Sequence, residues 1–311
     1  MKKYTHFLID DVIWILRDLT RVRPASMFDL PLFAALKDAH EKYGLRVQLN
    51  LFYRTSAFYG DDDFSLADVT DAYRAEFSAA SDWLKMGFHA KEEFPDYPYV
   101  NASYEEVAAV FARVKNEVLR FAGEDSFTYG YCPHWNAVSL DGVRALYDAG
   151  VRILDVSVGD PRPYSGNSDT LPYGHAMRLL HNRKPETMVY SRGGPNTAIN
   201  NSLAGYNHFT DAQLDATLYK TSGILDEETG MVFKKFHLPE MTVNLMKYDE
   251  MEKIFARHIG NEYIGVCTHE QYAHPHYFAY QPDWAEKLAR MAKILYENGY
   301  TFLFAADLLS L

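Results

Sequence analysis

The sequence of 311 residues predicts an α/β fold, a parallel (β/α) barrel, and three observations carry the prediction. Apolar runs of strand length alternate with segments of helical spacing. Turn and cap residues fall between the two kinds of segment, as crossover connections require. Polar residues able to do chemistry stand where the strands end, the rim on which barrels build their sites.

The first strand is read in Phe7-Leu-Ile-Asp10-Asp11-Val-Ile-Trp14, whose apolar run ends in two adjacent carboxylates. Burying a charge is costly without a counter-ion or a metal, so this pair marks the start of a site. Asp29 and Pro31 then open a helix through Phe33, Leu36 and His40 that stops at Gly44. A second strand spans Arg46 to Phe52, and interrupted helical spacing fills Ser65 to Trp83. The third strand runs from Leu84 to His89. Ser103 and Glu106 form a capping box for a helix ending at Gly123. The fourth strand covers Phe127 to Tyr131, a helix Leu140 to Ala149, and the fifth strand Val151 to Val156. The stretch from about 157 to 241 is rich in Gly, Pro, Asn and Ser and reads as a large insertion or cap, with one helical segment near Asp211 to Leu225. Alternation resumes with a helix at Tyr248 to His258, a strand at Tyr263 to His269, a helix at Pro282 to Asn298 and a strand at Tyr300 to Phe304. No repeat or linker divides the chain, so residues 1–311 are expected to form one domain.

Composition narrows the function. A formal charge of −11 disfavours nucleic acid and anionic membrane surfaces as partners, which both call for a basic face. No run reaches membrane-spanning length, and the first residues lead into a strand without a signal core, which points to the cytoplasm. Two cysteines, Cys132 and Cys267, are too few for a disulfide scaffold. The aromatic content of 15%, with 23 tyrosines, exceeds what the core needs and suggests that some of these rings line a binding cleft.

Candidates for chemistry follow the strands: Asp10 and Asp11 after the first, His89 after the third, His134 after the fourth, Asp155 in the fifth and His269 after the penultimate one. Asp11 and His89 suit a borderline divalent ion, which takes imidazole and carboxylate donors. For the third donor the sequence leaves Glu93, His134 and His269 open. Cys267 and His269 share a strand face, but a buried cysteine behaves more often as a small hydrophobe than as a nucleophile.

Asp10-Asp11, Gly87-Phe-His89, Pro133-His134, Asp155 and Cys267-Thr-His269, in that order, resemble the motifs of NodB-type polysaccharide deacetylases over most of the chain outside the insertion. The resemblance implies a distorted seven-stranded barrel, a divalent metal (zinc first, with cobalt, nickel or manganese as alternatives) and hydrolysis of an acylated amino sugar or a related small amide or ester. It implies Asp10 as general base, Asp11 and His89 as metal ligands and His269 as general acid. Asp155 joins Asp10 and His269 as a catalytic candidate, His134 and Glu93 join the metal ligands, and Trp135, Tyr97, Glu270 and Tyr272 are the substrate-binding candidates. Two departures stand out. Glu93 occupies the place of a second motif histidine, and Tyr131-Cys-Pro-His134 lacks the arginine and tyrosine of the corresponding family segment, leaving Arg17, Arg21 or Arg54 to orient Asp10. The His269-Glu-Gln-Tyr272 segment is similar to a bacterial branch of that family. The rival expectations are a carbohydrate-binding relative with a degenerate metal site, and a barrel sugar isomerase or epimerase.

Overall fold

A computed structural model describes residues 2–94, 98–99, 102–136, 138–155 and 211–311. Within these the elements run β1 (Lys3–Val12), α1 (Trp14–Val22), α2 (Pro31–Tyr43), β2 (Val47–Phe52), α3 (Arg74–Ala79), β3 (Leu84–Ala90), α4 (Tyr104–Phe121), β4 (Gly130–Tyr131), α5 (Leu140–Asp148), β5 (Ile153–Asp155), α6 (Asp211–Leu218), β6 (Ile224–Leu225), β7 (Val232–Lys234), α7 (Met251–Phe255), β8 (Tyr263–His269), α8 (Trp284–Glu297) and β9 (Tyr300–Leu303).

Local chemistry sets several of these boundaries. Pro31 occupies the first turn of α2, where its missing N–H is no loss, and Gly44 ends the helix at φ 68°. In α4 the Ser103 hydroxyl accepts from the Glu106 amide at 3.2 Å while the Glu106 carboxylate accepts from the Ser103 amide at 2.7 Å. Val107, Phe111, Val114, Val118 and Phe121 then recur at helical spacing and are buried against the sheet.

β1 is the spine. Its Tyr4–Asp10 stretch pairs in parallel with β8, while its other edge takes β9 along Lys3–His6 and β2 from Phe7 onward. β3 extends the sheet beyond β2. A second sheet orders β4-β5-β7 in parallel with β6 antiparallel at its edge. Between the two sheets lie the isolated bridges Met86↔Phe127, ahead of β4, and Thr242↔Cys267, after β7.

Among the described residues the strands therefore curl into a half-barrel and do not close into the expected seven-stranded barrel. The seams explain why. β4 contributes two residues of ladder, and beside β8 the chain runs past Gly265 as irregular backbone with 3-10 turns at Pro239–Met241 and Val243–Leu245. That approach is so close that a Cβ on Gly265 would fall 1.4 Å from the Phe236 carbonyl oxygen, so only glycine fits.

Three further differences follow from tertiary context. α1 was not expected, since its N-cap is Ile13 and no side chain of its own caps it. The spacing between Ser65 and Trp83 yields only the short α3 and a 3-10 turn at Leu66–Asp68. β7 lies inside the stretch expected to be insertion, yet it pairs with β5, so the sheet resumes by Val232. No helix among the described residues is long and apolar enough to cross a membrane.

Candidate metal centre

Strand alternation would send Asp10 and Asp11 to opposite faces of the sheet. Both nevertheless line one cavity of about 210 Å³ at the carboxyl ends of the strands. The ladder between β1 and β2 slips between Ile9 and Val12, and Asp11 adopts φ 62°. This bulge turns the second carboxylate toward the first. A left-handed backbone on a non-glycine residue costs roughly 1–2 kcal/mol. Asp11, Trp135 and Asn136 all carry that strain, and all three line the cavity, as expected where a site over-determines its backbone.

Three side-chain atoms converge beneath the opening. Asp11 Oδ1 lies 3.1 Å from His89 Nε2 and 3.4 Å from His134 Nδ1, and the two ring nitrogens are 3.1 Å apart. The opposite nitrogen of each ring faces a backbone carbonyl: His89 Nδ1 meets Cys132 O at 2.7 Å, and His134 Nε2 meets Glu93 O at 3.0 Å. A carbonyl only accepts, so each ring proton resides on that far nitrogen. Three lone pairs then face one another without a hydrogen among them. A cation satisfies this arrangement: ligand atoms about 2.0–2.1 Å from a tetrahedral ion stand roughly 3.3 Å apart. Two neutral imidazoles and one carboxylate also match the donor preference of zinc-class ions, and the carbonyls behind the rings set their tautomers and orientation.

Without an ion, a proton has to relieve the same crowding. Burial disfavours charge on His89, yet the Asp10 and Asp11 carboxylates outweigh it and raise the imidazole above its ordinary range. Burial likewise opposes ionisation of Asp11, but hydrogen bonds from His134 and His89 hold its carboxyl well below the usual carboxylate range.

Among the described residues no arginine orients Asp10. Its Oδ1 accepts from Asn50 Nδ2 at 2.6 Å, and Asn50 is in turn held by Gln48 Nε2 on its Oδ1 at 2.6 Å. The expected arginines are engaged elsewhere: Arg17 with Asp61, Arg21 with Asp62 and Arg54 with Glu92. The Cys267 thiol donates to Asp10 Oδ2 at 3.3 Å. Burial and the nearby Asp10 carboxylate push both Cys267 and Cys132 well above the ordinary thiol range, which keeps them protonated donors and removes the basis for a thiolate nucleophile.

Asp10 pairs in register with His269 across the ladder of β1 and β8. His269 Nδ1 lies 3.1 Å from Asn244 Oδ1, an acceptor, which places a ring proton on Nδ1. Glu93 lines the cavity but stands outside the converging triad, its carboxylate accepting from Gln271 Nε2 at 2.9 Å. Trp135 and Tyr272 line the same cavity, and Tyr97 lies outside the described residues.

Glu270 and Asp155 sit behind the cavity wall. The Glu270 carboxylate is fully buried and occupied by the amides of Ile13, Trp14 and Ile15. Asp155 accepts from the Phe236 amide at 2.7 Å, from Asn136 Nδ2 at 2.8 Å and from the Cys132 thiol at 3.3 Å, with Lys235 Nζ at 3.6 Å.

Sequence reasoning passed over Asn50, Asn244, His237 and Gln271. Asn50 had a signal, because Gln48 and Asn50 share one face of a strand that is otherwise apolar. His237 follows β7, which buried Lys234 at its end and Lys235 just after it disguised as a loop.

No family model and no curated protein matches this sequence. Solved structures do resemble it. A 4-alpha-glucanotransferase from Thermococcus litoralis aligns with a TM-score of 0.55 at 10% identity, over 100% of this chain and 40% of that one. This chain thus spans well under two thirds of that protein's length, and the likeness is one of fold. A family 4 acetyl xylan esterase from Clostridium thermocellum, in complex with a cobalt ion, aligns at 0.42 with 12% identity over 99% and 91% of the two chains. A branching enzyme from Thermococcus kodakaraensis aligns at 0.43 with 11% identity over 100% and 71%.

Proposed function

We propose that the chain is a divalent-metal-dependent hydrolase that removes an acyl group from an amino sugar or a related small amide or ester. The observation that carries the reading is the set of three converging acceptors, Asp11 Oδ1, His89 Nε2 and His134 Nδ1, with their protons committed to carbonyls on the far side. These residues would hold the ion, which supplies Lewis acidity toward an acyl carbonyl and acidifies water at neutral pH.

The remaining groups have complementary tasks. Asp10, fixed by Asn50 and Cys267, is placed to take a proton from attacking water. His269, with Nδ1 facing Asn244, is placed to pass a proton from Nε2 to the departing amine or alcohol. Trp135, Tyr272 and Tyr277 line the cavity and supply ring faces on which a sugar can stack. The cavity of about 210 Å³ is smaller than the roughly 300–1,000 Å³ that drug-sized ligands occupy, which suits a single sugar unit or a chain end.

Metal-loaded protein should release acetate from a panel of N- and O-acetylated sugars, and Asp10→Asn should stop release while keeping its metal. Acetate release by Asp10→Asn at the parent rate would remove the assigned base. Conversion of free sugars to isomers without acetate release would replace hydrolysis with the isomerase reading.

A further inference from the structure

Glu270 presents an arrangement that substrate binding does not explain. Its carboxylate is completely buried, a costly placement unless fully hydrogen-bonded. Oε2 accepts from the amides of Ile13 and Trp14 at 2.8 and 2.9 Å, and Oε1 accepts from the amide of Ile15 at 2.6 Å. These are the unpaired donors at the start of α1, a helix with no acidic residue in its first turn and no side-chain cap of its own. The cap thus comes from a residue more than 250 positions away.

The three amides begin two residues after Asp11, whose left-handed backbone turns it toward His89 and His134. On its other side Glu270 directly follows His269, the ladder partner of Asp10. One carboxylate therefore ties the end of β8 to the segment that leaves the β1 bulge. With both ends of that segment anchored, the ladder before it and the capped helix after it, the bulge has little freedom to relax.

We infer that Glu270 is the positioning residue of this centre: by accepting the amides of Ile13, Trp14 and Ile15 it holds Asp11 in its turned conformation, and so sets the donor geometry offered to a metal. The inference rests on the metal reading proposed above. It assigns Glu270 no contact with substrate or ion.

Glu270→Gln keeps the size of the side chain but presents an amide N–H₂ to backbone donors. The test is titration with Co²⁺, followed by its visible absorption, in the parent, in Glu270→Gln and in Leu19→Ala. Leu19 is a fully buried residue of α1, so its truncation lowers stability without touching the cap. All three are compared at a temperature where circular dichroism shows them folded. Cobalt affinity of Glu270→Gln should fall about tenfold or more, as for other residues that orient metal ligands, with an altered absorption spectrum, while Leu19→Ala keeps the parent's affinity and spectrum. Glu270→Asp retains the charge and falls one methylene short, so it should show a smaller loss in the same direction even if the glutamine variant does not fold. Parent-like cobalt binding in whichever Glu270 variants fold overturns the positioning role and leaves the metal reading standing. Absence of cobalt binding in the parent overturns both.

Discussion

Two buried aspartates, Asp11 lining the cavity and Asp155 behind its wall, differ in their surroundings in one decisive respect. Around Asp155 both carboxylate oxygens face donors: a backbone amide on Oδ1, and an asparagine, a thiol and a lysine on Oδ2. Around Asp11 the neighbouring ring nitrogens are themselves acceptors, because each ring has spent its proton on a carbonyl. Both side chains are buried. What separates a supporting network from a binding centre is the balance of donors and acceptors, since a buried polar group without its complement is costly.

The comparison can be broken most severely at Asp11. Asp11→Ala should abolish stoichiometric metal binding with the fold intact, measured by metal analysis beside circular dichroism, whereas Asp155→Ala should retain the metal. Asp155→Ala should instead cost about 3–5 kcal/mol of stability in a denaturant titration, because it strands Lys235, only 1% exposed, without a partner. Equal metal loss in both variants would erase the distinction between the two aspartates.

Next in size are the proton-transfer residues. His269→Ala should lower kcat by about 10²–10⁴ with metal content unchanged, and an unaffected rate would remove His269 from the chemistry.

The pH dependence sharpens the same contrast. In metal-free protein the raised His89 contributes stability that is complete below its ordinary value of 6.5 and is lost as pH rises through the folded-state value. The depressed Asp11 contributes stability present above 3.8 that is lost only as pH falls through its lower folded-state value. A metal takes the place of the proton, so the rise in Tm on adding zinc should grow from about pH 6 to about pH 8. A shift that shrinks over that range would contradict the shared-acceptor account.

The smallest effect is expected at the thiols. Cys267→Ser keeps a donor to Asp10 and should change turnover by less than about threefold, as for a neutral hydrogen bond exchanged for another. Loss of all activity would reinstate a cysteine nucleophile.

How much of this was legible in the sequence depends on how local each cause is. Pro31 and Gly44 bracket α2, and Ser103 and Glu106 open α4, through contacts within a few residues, so those elements could be read directly. The paired aspartates and the histidines at strand ends announced a site for a similar reason, since strand ends converge in any parallel sheet. α1 escaped because its cap is Glu270, and β7 escaped because buried Lys234 and Lys235 look like loop residues until their partners, the Thr217 carbonyl and Asp155, are seen. The support of Asp10 was sought among arginines, and those formed pairs with Asp61, Asp62 and Glu92 while a neutral asparagine filled the place. The bulge that turns Asp11 is likewise a property of the ladder, not of the two aspartates alone.

The most direct test of the central claim is equilibrium zinc binding at neutral pH by the parent and by Asp11→Ala, with bound metal quantified by mass spectrometry after dialysis. The account predicts about one zinc per parent chain, as a single three-donor site requires, and none retained by the variant. A parent that retains no zinc, or a variant that retains as much as the parent, would contradict it.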